Sequence, residues 1–500
     1  MKIVTSTQMR SLDENAANLG ITGIQLMENA ASAVVGELPA YASKFVICCG
    51  SGNNGGDGLA IARMLFLSGK TVHVIIANRP KADDAKHNFE ILKNLGVPIS
   101  TELDELSLKK LEECDVIVDA LAGIGLCAGA RGLTKTIIEA INNAHKTVVS
   151  VDVPSGINSD NGNVCGVAVK ADVTVTFELP KIGLLTGDGV DYVGKLVIKP
   201  ISLPINVESC NINMTDLDYI NRDIQPRKRN SYKGNFGKIL VVAGSTGLTG
   251  AAYLASEGAL RSGSGLVTLA VPKSLNNTME KKLTEVMTLP LPDKDGIIAE
   301  DVFDSMKSVA TRAGAIVYGC GLTECEAVRK TLKSLILSVT CPIVIDADGL
   351  NVIAQNLDIL KLICSPIVLT PHPMELARLC GVSVDKVNAN RVDYATKFAQ
   401  EHNVIVVLKG AGTIIASPEG ECFINPTGNA GMATGGTGDI LSGIIASLIG
   451  QGLSPYNAAI TGAYIHGMCG DYAALDLGMR GMTANDILQY LPRAMKLIKE

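Results

Sequence analysis

The chain has no stretch near the roughly 18 uninterrupted apolar residues of a membrane-spanning helix, and no excess of positive charge. Its formal net charge is −6. The first lack speaks against a membrane protein, the second against nucleic acid or anionic membrane as a partner. Met1 to Gly20 is broken by Lys2, Arg10, Asp13 and Glu14 and has no apolar core for export. The 13 cysteines are odd in number and form no zinc-like CxxC pair, and Cys48-Cys49 lie in an apolar run. That pattern predicts reduced, buried thiols in a cytoplasmic protein. Low-complexity tracts and short-period repeats are also missing. What is abundant is glycine, 51 residues, with 47% hydrophobic and only 19% charged residues. Such a composition implies a deeply buried α/β architecture, and 500 residues imply two or three domains.

Short apolar, β-branched runs alternate with helical patterns, which predicts parallel sheets with crossover helices. The candidate strands are Phe45–Cys49, Thr71–Ala77, Asp115–Leu121, Thr147–Val153 and Ala171–Phe177 in the first part. In the second they are Lys238–Ala243, Leu266–Val271, Ala315–Tyr318, Pro342–Ile345, Pro366–Thr370 and Val404–Leu408. Regular structure is expected to stop at Lys199–Pro204, and the basic cluster Arg227-Lys228-Arg229 is expected to be a solvated linker face. Two α/β domains follow, 1–212 and 213–500.

The most informative run is Asn429–Asp439, NAGMATGGTGD, which leads into the apolar helix pattern from Ile440. Glycines let a backbone approach a ligand closely, and the first N–H groups of a helix together with its dipole favour an anion. Asp439, at the edge of such a site, is expected to stay ionised and to act as a base on a hydroxyl. A glycine turn with Asp439 as an N-cap is the bland alternative.

A second glycine loop, Gly50–Gly58, follows the strand at Phe45–Cys49, at the position where doubly wound folds bind nucleotides. It is not GxGxxG, and no acid ends the next strand, so ordinary NAD-dependent hydride transfer is disfavoured. Asn53, Asn54 and Asp57 suit a nucleotide or a hard monovalent cation. Asp119 with the Gly123–Gly125 loop, and Asp152 with Ser155, sit at two further strand ends and converge on the same crevice. In the second domain Asp346 and Asp348 share a face if extended, which suggests magnesium or water, or else helix-capping acids. His372, held between two prolines, either contacts a ring or caps the next helix. Lys409 to Thr413, KGAGT, offers small residues and N–H groups to phosphates.

GNNGGDG, VDALAGIG and VDVPSG, after Ile21–Ala31 (ITGIQLMENAA), resemble the epimerase domain of the NAD(P)H-hydrate repair enzymes. KGNFG, GSTGLTGAA, GCGLT, DADGLN, TPHPMEL, KGAGT and NAGMATGGTGD, in that order over Lys233–Asp439, resemble the family's dehydratase domain. The resemblance implies an N-terminal Rossmann-like three-layer domain followed by a ribokinase-like α/β domain. It implies that Asn53, Asn54, Gly55, Gly56 and Asp57, with Gly123, Ile124, Gly125, Leu126, Cys127, Ala128 and Gly129, bind the hydrate. Asp152 would be the epimerase acid/base, and Asn54, Asp119 and Ser155 would hold potassium. Cys127 and Ala128 stand where relatives often carry a basic residue, and Arg131 is the nearest substitute.

In the second domain the resemblance assigns hydrate binding to Ala251, Gly321, His372 and Asp439, and nucleotide binding to Lys409, Gly410, Ala411, Gly412, Thr413 and Gly438. Cys320 replaces the usual proline between two glycines. The implied substrates are the hydrates NADHX and NADPHX, with ADP and magnesium serving the dehydratase. ADP would phosphorylate the ring hydroxyl, Asp439 would take its proton, and expulsion of phosphate would restore the dihydropyridine. A cytoplasmic homo-oligomer is the expected assembly. The rival reading is an ATP-dependent vitamin-precursor kinase with a non-catalytic N-terminal binding domain, for which the fused GNNGGDG domain has no evident role.

Overall fold

In β1 (Lys44–Cys49) Phe45, Ile47 and Cys49 join one apolar cluster while Val46 and Cys48 join another. A strand apolar on both faces must be covered on both, which places it inside a parallel sheet between two helix layers. A computed structural model describes residues 1–125, 129–205, 210–362 and 364–499. The chain divides into two units, Met1–Ile212 and Asn213–Glu500. The first unit continues with β2 (Thr71–Ile76), β3 (Ile99–Ser100), β4 (Val116–Ala120), β5 (Thr147–Val151), β6 (Val173–Phe177) and β7 (Lys195–Lys199). Their order is β3-β2-β1-β4-β5-β6-β7, and every neighbouring pair is parallel. The order reverses between β1 and β4, so a crevice opens beyond their carboxyl ends. Gly50 and Leu121 meet there so closely that a Cβ on Gly50 would run into the Leu121 carbonyl.

The second sheet comprises β8 (Ile212–Met214), β9 (Lys238–Val242), β10 (Leu266–Pro272), β11 (Met287–Leu291), β14 (Ala315–Tyr318), β15 (Ile343–Ile345), β16 (Ile367–Leu369), β17 (Ile405–Leu408), β18 (Thr413–Ala416) and β19 (Cys422–Asn425). Its order is β11-β10-β9-β14-β15-β16-β17-β18-β19-β8, and β12 (Asp293–Lys294) with β13 (Ile297–Ile298) forms a separate hairpin. Pairing is parallel from β11 to β17 and antiparallel through β18 and β19. Lys409–Gly412 is therefore the turn of a β-hairpin, an antiparallel feature that the alternating pattern does not predict. The helix Thr437–Gly450 packs on Thr249–Arg261, and Gly443 permits it, since a Cβ there would enter the Ala255 carbonyl.

No described helix is long and apolar enough to cross a membrane. The described cysteines carry no disulfide, and seven of them are buried. Arg227 is not simply solvated: its guanidinium lies 4.1 Å from the Phe236 ring centroid and donates to Gly263 O at 2.6 Å.

Candidate active sites

Sheet order puts the loops after β1, β4 and β5 at one end of the first unit, around a cavity of about 700 Å³. Asn53, Asn54, Asp57, Gly123, Ile124, Gly125 and Asp152 all line it, together with Asp13 from the first helix. Gly55 and Gly56 are buried behind the wall, against Gly50 and Met27, and act by letting the helix Asn53–Leu67 come close. Gly129 packs on the Cys165 carbonyl and does not line the cavity. Leu126, Cys127 and Ala128 lie outside the described residues. Arg131 is the N-cap of the helix Gly132–Asn143 and does not line the cavity.

Asp152 follows β5 in a left-handed conformation, φ 67°, which turns its carboxylate off the strand line. Lys181 Nζ donates to Asp152 Oδ1 at 2.5 Å, and Thr176 Oγ1 donates to the same oxygen at 3.0 Å. The lysine side chain is only 1% exposed, and it also reaches Thr176 Oγ1 and Phe177 O. Nothing local in the sequence marks Lys181 as the partner of a residue 29 positions away. Asp57 shows no hydrogen bond or ion pair among the described residues, and burial, then repulsion from Asp152 and Asp13, pushes its carboxyl well above the usual range.

Beneath the cavity Asp119 is wholly buried. It accepts from Ser155 Oγ (2.6 Å), Ser150 Oγ (2.8 Å), Ser155 N (2.9 Å) and Leu121 N (3.3 Å). All are neutral donors, and no ion pair reaches it among the described residues; burial raises its pKa while the Ser155 hydrogen bonds oppose the rise. The Ala122 carbonyl lies 3.1 Å from Ser155 Oγ. Asn54, with its amide donating to Val151 O and accepting from Gly123 N, is tied to the same loops. An all-oxygen donor set around a buried carboxylate lacking a counter-charge fits a monovalent cation.

In the second unit the polar groups stand at the carboxyl ends of β14 to β17. Gly436, φ 95°, caps the helix Thr437–Gly450, so Asp439 occupies its third position and is not the N-cap. The expectation that Asp439 stays ionised is corrected. Burial and the nearby Asp346 push its carboxyl up to about 7, against Cys320 and Lys409, which act to lower it. The Cys320 thiol, itself kept protonated by burial, lies with carboxylate oxygens of Asp346 and Asp439 inside a 4.8 Å group. A Cβ on Gly321 would fall 3.0 Å from Ala251 Cβ and one on Gly438 3.1 Å from Lys409 Nζ, which shows how tightly these positions converge.

The expected Asp346–Asp348 pair is not an extended one. β15 ends at Ile345, Ala347 turns to φ 47°, and a helix starts at Asp348. Asp346 faces inward, taking Lys409 Nζ at 2.7 Å and Ser442 Oγ at 2.7 Å. Burial disfavours its charge, yet Lys409 and the Ser442 and Thr370 hydroxyls hold its pKa below the ordinary value. Asp348 instead accepts from Thr323 N at 2.8 Å. Lys409 also lies 3.9 Å from Glu375 Oε2, and burial pushes Glu375 up to about 7.

His372 caps the helix Pro373–Cys380: its Nδ1 accepts from Met374 N and Glu375 N, both at 3.2 Å. The proton then belongs on Nε2, which lies 3.5 Å from Glu375 Oε1. Burial, then Lys409, lowers its pKa, so the ring is neutral. His466, not singled out by sequence, has a buried Nε2 without a partner, and burial pulls it down to about 4.

The two halves match two families. Residues 239–493 match NAD(P)H-hydrate dehydratase, and residues 23–183 match the YjeF-related protein N-terminus. A ribokinase-like superfamily protein of known structure from Enterococcus faecalis is 27% identical with TM-score 0.50, over 59% of this chain and 100% of that one. The bifunctional NAD(P)H-hydrate repair enzyme of Moorella thermoacetica is 40% identical, over 100% of this chain and 98% of its own length. The Escherichia coli enzyme of the same description is 35% identical, over 96% and 91%. The chain belongs to the family of bifunctional NAD(P)H-hydrate repair enzymes.

Proposed function

We propose that the first unit interconverts the R and S hydrates of NADH and NADPH, and that the second dehydrates the S form with ADP as phosphoryl donor, releasing AMP and phosphate. The observation that carries this is Asp439. A carboxyl raised to about 7, on the first turn of a helix entered through a glycine loop, is matched to taking a proton from a hydroxyl near neutral pH. That hydroxyl then attacks the terminal phosphoryl group, whose charge the helix N-terminus, Gly438 and Lys409 would stabilise. The ring nitrogen's lone pair expels phosphate, and loss of a proton from the adjacent ring carbon restores the dihydropyridine. His372 Nε2–H, Ala251 and Gly321 would hold the hydrate, and Lys409 to Thr413 the nucleotide. Magnesium would arrive on the phosphates, as suits an ion that keeps several waters, because Asp346 and Asp348 are already engaged within the protein.

In the first unit Asp152, held by Lys181 and Thr176, would take the proton of the ring hydroxyl as the adjoining carbon–nitrogen bond opens to an aldehyde, and would return it when the nitrogen recloses on the other face. Asp57, Asn53, Asn54 and Gly123 to Gly125 would shape the pocket of the same ligand. Potassium at Asn54, Asp119 and Ser155 would supply charge under that floor. The test is absorbance of reduced nicotinamide after mixing the pure chain with hydrated NADH, ADP and magnesium. Asp439→Asn should abolish recovery from the S-hydrate yet leave epimerisation, and Asp152→Asn the reverse. No recovery with either ADP or ATP would sink the proposal.

A further inference from the structure

A buried cation without a counter-charge is costly, and one such group lies beside the catalytic cluster with no role yet. Arg391 opens the helix Arg391–His402 and is 9% exposed. Its Nη2 donates to two neutral acceptors, Lys409 O at 3.2 Å and Leu408 O at 3.5 Å. Its Nε is buried with no acceptor at all. No carboxylate stands within ion-pair distance of it among the described residues, Asp393 of the same helical turn included. The first turn of a helix is also the end at which the dipole disfavours a cation. Burial pulls its pKa down to about 10, so it is charged at neutral pH all the same.

The guanidinium lies directly against the hairpin turn after β17. A Cβ on Gly410 would stand 2.9 Å from both Nη1 and Nη2, and Gly410 itself has φ 134°. A glycine there is what allows a buried arginine to come up under the turn. Three unfavourable features thus coincide in the free protein: burial, no anion, and the wrong end of a helix. A polyanion on the turn would relieve all three.

We infer that Arg391 is a phosphate-recognising residue of the turn Lys409–Thr413, its charge balanced by the phosphates of a nucleoside diphosphate bound there. Because it contacts the turn from beneath, it acts by field and by fixing the Lys409 and Leu408 carbonyls. The inference rests on the nucleotide reading of that turn given above. It also makes a demand that a structural arginine would not: removing the charge should not harm the free protein.

The experiment is calorimetric binding of magnesium-ADP and of adenosine to the full chain, with thermal melting of the free protein, for wild type, Arg391→Met and Arg391→Lys. Arg391→Met should weaken ADP at least tenfold, move adenosine by no more than about twofold, and leave the melting temperature equal or higher. Arg391→Lys, which keeps the charge, should lose less ADP affinity than Arg391→Met. Unchanged ADP binding in Arg391→Met overturns the inference. So does an equal loss of ADP and adenosine with a lower melting temperature, or a Met variant that does not fold. A wild type that binds neither ADP nor ATP overturns the nucleotide reading itself.

Discussion

Replacing Asp439 by asparagine is expected to stabilise the free protein above neutral pH while stopping dehydration. Its carboxyl titrates at about 7 in the folded chain against an ordinary 3.8, so the folded state holds that proton more tightly than the unfolded chain. The sign follows from linkage: this contribution is fully present below pH about 4 and is lost as pH rises through about 7. Three units correspond to about 4 kcal/mol, and relaxation with water entry should leave about 2 kcal/mol of it. Asparagine keeps the shape without the charge. Urea unfolding of the full chain should therefore find Asp439→Asn nearly level with wild type at pH about 4, and about 2 kcal/mol more stable at pH 8. In the same samples, recovery of reduced nicotinamide should fall at least 10²-fold. Wild-type dehydration should rise about tenfold per pH unit below 7 and level off above it. A variant with no stability gain at pH 8, or a flat wild-type profile from pH 5.5 to 7, would refute the assignment of Asp439 as a base held near neutrality by burial.

Lys181→Met leaves Asp152 without its cation in a closed wall, so a stability loss of about 3–5 kcal/mol and at least hundredfold slower epimerisation are expected, read by melting and by consumption of the R-hydrate. Gly443→Ala forces a Cβ into the Ala255 carbonyl. It should cost about 1–3 kcal/mol and slow dehydration, because Asp439 rides on the displaced helix; epimerisation by the same sample serves as the control. Substituting lithium for potassium should slow epimerisation, and Asp119→Asn should erase the dependence on the ion, as seen in rate against potassium concentration.

Much of this molecule was legible in the sequence because alternation and glycine spacing are local. The order of β-branched runs announced the parallel strands of both sheets, and the glycine loops at Gly50 and before the helix at Thr437 stood out as the candidate sites. β18 and β19 were missed because they are four-residue strands whose partners, not their own pattern, make them strands. Asp346 and Asp348 look equivalent on paper, two residues apart. A single positive-φ residue, Ala347, sends one into the core toward Lys409 and the other to a helix start. Cys320, an odd substitution for a proline, gains meaning only when the fold sets its thiol beside Asp439.

The sequence by itself determined which groups were available: the two glycine loops, the acids at strand ends, the hairpin lysine, and hence the family. Tertiary structure decided their states. Lys181 reaches Asp152 from 29 residues away, and Lys409 reaches Asp346 across 63. Asp439 lies far enough inside that desolvation raises its carboxyl to about 7, and Arg391 is sealed beneath Gly410 with no carboxylate partner among the described residues. Charge state depends on burial and on partners distant in sequence, and neither is written in the local pattern of residues.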